Sequence, residues 1–402
     1  MKKLIILNII ISILLCFVSL GLFTVYKVDV SFSEPSDPVY YVSNKSEIDN
    51  TIKKEKETLI KNVNQMIYDG EYLDALKVIK SSNFSEDIQI KNLTQYLTKK
   101  VAEHKLSPYN GTIDIMLFEP IISFPEVLKK NSSQSSLMDE NQITICEFEK
   151  ILISIYENNY ILVDPVQALN GRLYVPYGKK PIVLALASAH YNVKNGTVDK
   201  LILDDNGDLV TYTPKRSIND RIHHSNDFIT LLDTFIEDRP DFSLNGVRGL
   251  ICVDGSNGIM GYKTQKTNAN SKYQIKKCYE IANHLRDNGW KFACTGYKFG
   301  ANDNDINFAS GLSHWKEVVE PILSKTSIYV GNFDDFNEYK ASLLSSYGYT
   351  TLLNTGASTD IGINCIKISG KTLRQNHDEL AKFFDSEKIY DHLNRATTYC
   401  SN

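Results

Sequence analysis

Three side chains able to do polar chemistry close the stretch PYGKKPIVLALASAHYN at 176–192: Ser188, His190 and Tyr191. A hydroxyl, an imidazole and a phenol can hydrogen-bond a polar ligand. Ahead of them the apolar run Ile182 to Ala189 follows the turn Pro176 to Gly178. An unbroken apolar run bounded by turn residues reads as a strand buried on both faces. In barrels of alternating strands and helices, chemistry is placed after the strands' C-terminal ends. No carboxylate follows this strand. A lone histidine there serves a local hydrogen bond more often than catalysis, so no residue is assigned a catalytic role. Later strand ends add Asp254, Lys263, Thr295, Lys298 and Asp334 to the same predicted mouth. The candidate ligand-binding set is Ser188, His190, Tyr191, Asp254, Thr295 and Lys298.

Other chemical signals are weak. His223 and His224 are adjacent in a polar loop, and neighbours rarely chelate one ion together. The acidic run DDNGD at 204–208 lacks the ligand series of an EF-hand loop, and Asn206-Gly207 between apolar runs predicts a hairpin turn. No glycine-rich phosphate loop and no Gly-x-Ser-x-Gly elbow is present. Seven cysteines, Cys16, Cys146, Cys252, Cys278, Cys294, Cys365 and Cys400, show no CxxC and no metal-site spacing. Most sit among apolar residues as small core side chains, and a single disulfide among them stays open.

The elements that must position the mouth alternate. Strands are expected at 112–118, 160–163, 182–189, 249–253, 290–294, 327–330, 349–353 and 363–368. Helices are expected at 227–237, 273–288, 338–347 and 378–394, with another ending at Leu323. Thr144 and Glu147 fit a capping box ahead of the apolar stripe Phe148, Ile151, Leu152, Ile155 and Tyr156. Residues 131–141 read as a loop. Repeated strand–helix alternation implies a parallel sheet, closed or nearly so.

The chain has 402 residues and a formal net charge of −4, which disfavours a nucleic-acid partner. Lys2 and Lys3 precede an uncharged run, Leu4 to Tyr26, long enough to span a bilayer. The lysines favour an inside N-terminus with the rest exported. The expected organisation is a cytoplasmic tip and signal anchor over 1–26, a linker over 27–45, a helical spacer over 46–107 and a barrel over 108–402.

The C-terminal part carries GKKPIVLA from Gly178, FIEDRPDF from Phe235 and GLICVDGSNGIMGYKT from Gly249. Then come LRDNGWKFACTGY from Leu285, HWKEVVEPIL from His314, LRQNHDEL and FFDSEKIYD. In this order the segments resemble the polysaccharide deacetylase family, in a membrane-anchored bacterial branch, over about residues 111–394. The resemblance implies an α/β fold, a distorted (β/α) barrel. It also implies a divalent metal that activates water for N-acetyl hydrolysis with a carboxylate base. Where that family places its Asp pair, this chain has Ala187 and Ser188. Where it places two metal-binding histidines, this chain has Thr295 and Phe299. A later aromatic-proline motif reads Gly331, Asn332, Phe333, Asp334. The expectation is a catalytically silent relative with no metal and no cofactor, binding cell-wall glycan or another envelope protein. The alternative is an active deacetylase or hydrolase with a non-standard site, using zinc or metal-free chemistry.

Overall fold

The computed structural model describes residues 39–398 except 69–71, 104–105, 130–131, 171–172, 266, 335 and 357–361. The expected membrane span at 4–26, Cys16 and Cys400 lie outside the described residues. Among those described, no helix is long and apolar enough to cross a membrane. The chain divides into two compact units, 1–58 and 59–402.

Helix Val39–Tyr68 begins inside the stretch expected to be a linker. Only Pro35 and Pro38 are strong breakers there, and both precede the helix. Helices Tyr72–Lys80 and Ile88–Glu103 follow. Val63, Ala75, Leu76, Ile79, Ile90 and Leu97 form their own small core.

The strands are β1 Leu106–Pro108, β2 Ile113–Phe118, β3 Tyr160–Leu162, β4 Tyr174–Pro176 and β5 Lys180–Leu186. An insert contributes β6 Lys200–Leu203, β7 Leu209–Tyr212 and β8 Ile222–His223, and then come β9 Leu250–Val253 and β10 Lys291–Cys294. The last are β11 Ile328–Gly331, β12 Thr351–Asn354 and β13 Ile363–Ile368. Among the described residues the main sheet runs β12-β11-β10-β9-β5-β2-β13, with β3 on the N-terminal part of β5. Every pairing in it is parallel.

Both faces of this sheet are buried, and they separate cleanly by alternation. Ile113, Ile115 and Leu117 of β2 share one cluster with Val183 and Ala185 of β5, Cys252 of β9 and Ala293 of β10. Val330, Leu353 and, half-buried, Cys365 carry the cluster to the remaining strands. The intervening residues Phe118, Leu184, Ile251, Phe292 and Ile366 pack against the helices instead. One face of seven strands meeting in a single cluster requires the sheet to curl round it, and small residues keep that interior narrow. The result is a nearly closed barrel with helices outside.

The outer layer is locked by aromatic rings. Phe118 meets Phe148 of helix Ile145–Glu157 at 5.1 Å between centroids, and Phe148 stacks on Phe228 of helix Phe228–Asp238 at 4.9 Å. Helix Ile145–Glu157 opens with the predicted capping box of Thr144 and Glu147. β6, β7 and β8 form a separate antiparallel sheet between β5 and helix Phe228–Asp238, and Gly207 turns its hairpin at φ +88°.

Three local expectations change. Residues 133–141 form a helix, because Ser132 and Ser135 cap it reciprocally despite its polar sequence. His223 stands in β8 rather than in a loop. The expected helix at 378–394 breaks into His377–Leu380 and Ser386–Ile389, because Asp385 turns its side chain onto the next helix's N-terminus. Cys252, Cys278 and Cys294 are free and buried, as expected for small core residues. Cys146 is disulfide-bonded.

Candidate functional site at the barrel mouth

Extending the inner-face alternation by one step locates the mouth. Past Leu117 comes Glu119, past Ala185 comes Ala187, past Cys252 comes Asp254 and past Ala293 comes Thr295. β11, β12 and β13 contribute Asn332, Thr355 and Lys367 by the same count. Lys367 reaches Glu119, just past the neighbouring strand β2, at 3.0 Å, as two residues of one face would. Glu119 also lies close enough to the interior Cys252 to oppose its ionisation, behind burial and Cys365.

Glu119 and Lys367 were not among the sequence candidates. Glu119 follows the apolar run IDIMLF directly, and Lys367 alternates with Ile366 and Ile368. The two-residue period reaches Glu119 one step past β2 and Lys367 within β13, so applying it to every strand finds both.

The predicted candidates separate. Ser188 accepts the His190 backbone N–H at 3.2 Å, a local turn that holds both half-buried after β5. The Ala189 carbonyl accepts the Met260 N–H at 2.8 Å, so the loop after β9 lies on the exit of β5. Asp254 accepts the Ser256 N–H at 2.6 Å and is half-buried. Thr295 is half-buried, and its carbonyl accepts the Tyr329 hydroxyl at 3.3 Å. Tyr191 leaves the mouth: it is buried in the outer layer and donates to Asp227 at 2.5 Å. Lys298 has a left-handed backbone, φ +67°, and its exposed ammonium sits 5.3 Å over the Phe299 ring. Lys263 and Asp334 are exposed.

The loop after β10 is pinned from below. Lys340, only 4% exposed, donates to the carbonyls of Ala301 and Asp303, both at 2.7 Å. Lys340→Met is expected to cost about 3–6 kcal/mol, two hydrogen bonds from a charged donor at about 1.5–3 kcal/mol each. Thermal denaturation checks this, and a loss below about 1 kcal/mol would mean the loop holds itself.

The divalent ion implied by the resemblance needs anionic oxygen or ring nitrogen. The methyl of Ala187, the hydroxyls of Ser188 and Thr295 and the ring of Phe299 supply neither. Among the described residues no three His, Cys, Asp or Glu gather as ligands. These residues do not fit the ion.

No protein-family model and no curated protein matches the chain. Among solved structures, the Streptococcus pyogenes deacetylase PplD in complex with acetate is similar at 11% identity and a TM-score of 0.39. The match covers 67% of this chain and 98% of that one. At that score the likeness carries no argument, and the reading of barrel and mouth rests on this chain's own residues.

Proposed function

We propose that the chain is an exported, membrane-anchored glycan-binding protein whose barrel mouth holds its ligand without metal-dependent deacetylation. The observation that carries this is the mouth itself. Ala187 and Thr295 follow β5 and β10 directly, where metal-dependent hydrolysis would need a base and metal ligands. Around them Glu119, Asp254, Asn332 and Lys367 offer donors and acceptors suited to sugar hydroxyls and amides. The uncharged run at 4–26 supports the anchor, and the disulfide at Cys146 suits an oxidising exterior. An envelope protein as ligand in place of glycan is the other outcome of the same binding screen.

The test has two arms. The purified chain, incubated with zinc and washed, is expected to carry well under one zinc and to release no acetate from acetylated chitin oligomers or peptidoglycan. On a glycan array it is expected to bind, and Lys367→Ala to weaken binding about tenfold, the worth of one charge-assisted hydrogen bond. Stoichiometric zinc with acetate release would establish the active-enzyme alternative instead.

A further inference from the structure

Helix Asp305–Val318 lies against the mouth beside β9 and β10. The Trp315 indole N–H donates to the carbonyl of Val253, the last residue of β9, at 2.7 Å. One turn earlier on the helix, the Gly311 carbonyl accepts the N–H of Tyr297, in the loop after β10, at 3.1 Å. A side chain at Gly311 would meet the Phe299 carbonyl at 2.5 Å, so glycine is what lets the loop lie this close. The Tyr297 backbone is thereby fixed on the helix.

Its ring is held too. The His314 ring, on the same helix, stands against it at 4.4 Å between centroids and 77° between planes. Tyr297 is half-buried, so part of it stays open, and among the described residues nothing hydrogen-bonds its hydroxyl. Asp254 follows Val253, whose carbonyl accepts the Thr295 N–H at 3.3 Å. Tyr297 comes two residues after Thr295. The two side chains are near enough that the Asp254 charge, behind burial, holds the Tyr297 phenol above its ordinary value. Asp254 accepts the Ser256 N–H and, among the described residues, pairs with no cation.

Resting on the glycan reading above, we propose that Tyr297 and Asp254 form a sugar-ring subsite that takes an uncharged or amine-bearing pyranose and turns away uronic acids. A ring held in place offers its negative face to the weakly positive C–H groups of a pyranose. The carboxylate beside it accepts from hydroxyl or ammonium donors and has nothing to donate to a second carboxylate. A uronate would also set its charge against Asp254, with Glu119 at the same mouth. Lys367 at that mouth is engaged with Glu119, and Lys298 holds its ammonium over Phe299.

Titration of the full chain with acetylated chitin oligomers, their deacetylated counterparts and galacturonic acid oligomers tests it. Wild type is expected to bind the first two, and the uronate about tenfold more weakly or worse. Tyr297→Leu keeps apolar bulk without a flat face and should lose about tenfold in affinity for both bound oligomers. Tyr297→Phe should recover most of that loss. Asp254→Asn keeps an acceptor for the Ser256 N–H and should narrow the gap to the uronate. Melting temperatures show whether each variant folds, and if Tyr297→Leu does not, the uronate gap and its narrowing in Asp254→Asn decide. Wild-type affinity in a folded Tyr297→Leu, or a uronate bound as tightly as acetylated chitin, overturns the subsite and leaves glycan binding standing. No binding of any oligomer by wild type overturns both.

Discussion

Replacing Arg395 with alanine is expected to remove about 3–5 kcal/mol of stability, the cost of stripping one partner from a buried ion pair. Arg395 is 6% exposed, although it lies close to the C-terminus. Its Nε donates to Glu147 Oε1 at 2.8 Å and its Nη2 to Glu147 Oε2 at 3.1 Å. Nη2 also reaches the Gln142 carbonyl at 2.6 Å, and Nη1 reaches Asp139 Oδ1 at 2.5 Å. Glu147 is 2% exposed and also accepts the Thr144 N–H at 2.7 Å, closing the capping box. Alanine would leave that carboxylate buried with one N–H and no counter-charge. Arg395→Lys keeps the charge but loses the fork and should fall between wild type and alanine. Denaturant titration with an unchanged slope reads the loss. A cost under about 1 kcal/mol would show that the terminal segment contributes little to the fold. The same clasp sets an acid limit. Burial disfavours the Asp139 charge, but Arg395 and Arg374 outweigh it and hold the carboxyl below its ordinary value. A carboxyl lower in the folded state contributes fully above its unfolded value of about 3.9. That contribution is lost as pH falls through the folded value.

None of this clasp was legible in the sequence, and the reason is distance along the chain. Arg395 and Glu147 are far apart in sequence, and nothing local marks either as the other's partner. What was legible was local or periodic. The capping box at Thr144 and Glu147, the Asn206-Gly207 hairpin and the strand at 363–368 rest on short-range rules, and the structure has all three. The barrel followed from alternation of element types. Helix Ser133–Asn141 was missed because its stability comes from a Ser132–Ser135 cap rather than an apolar stripe. At the mouth, the ends of β5, β9 and β10 brought out Ser188, His190, Asp254 and Thr295, while the ends of β2 and β13 with Glu119 and Lys367 were passed over. Their identities are unremarkable, and their meaning comes from the register of β2 against β13.

Tyr191 shows the converse, a polar residue at the right sequence position that the fold turns to another use. Asp227→Ala is expected to cost about 3–5 kcal/mol, combining a lost cap with buried hydroxyls left unpaired. Asp227 Oδ1 accepts the Thr230 N–H at 2.8 Å and its hydroxyl at 2.6 Å, starting helix Phe228–Asp238. Oδ2 accepts the Tyr191 hydroxyl. Burial pushes the Asp227 carboxyl up against these bonds, and burial with Asp227 beside it drives the Tyr191 phenol well above its usual range. The proton therefore stays on the tyrosine, and the pair acts as donor and acceptor within the outer layer. Tyr191→Phe should cost about 1–2 kcal/mol by orphaning Oδ2. The double variant should cost less than the two single losses added, because they break the same bond. If the proposed glycan binding is found, Tyr191→Phe should equal wild type in it wherever the protein is folded. If binding falls while the melting temperature holds, the phenol reaches the ligand and the division between mouth and outer layer at Tyr191 is wrong.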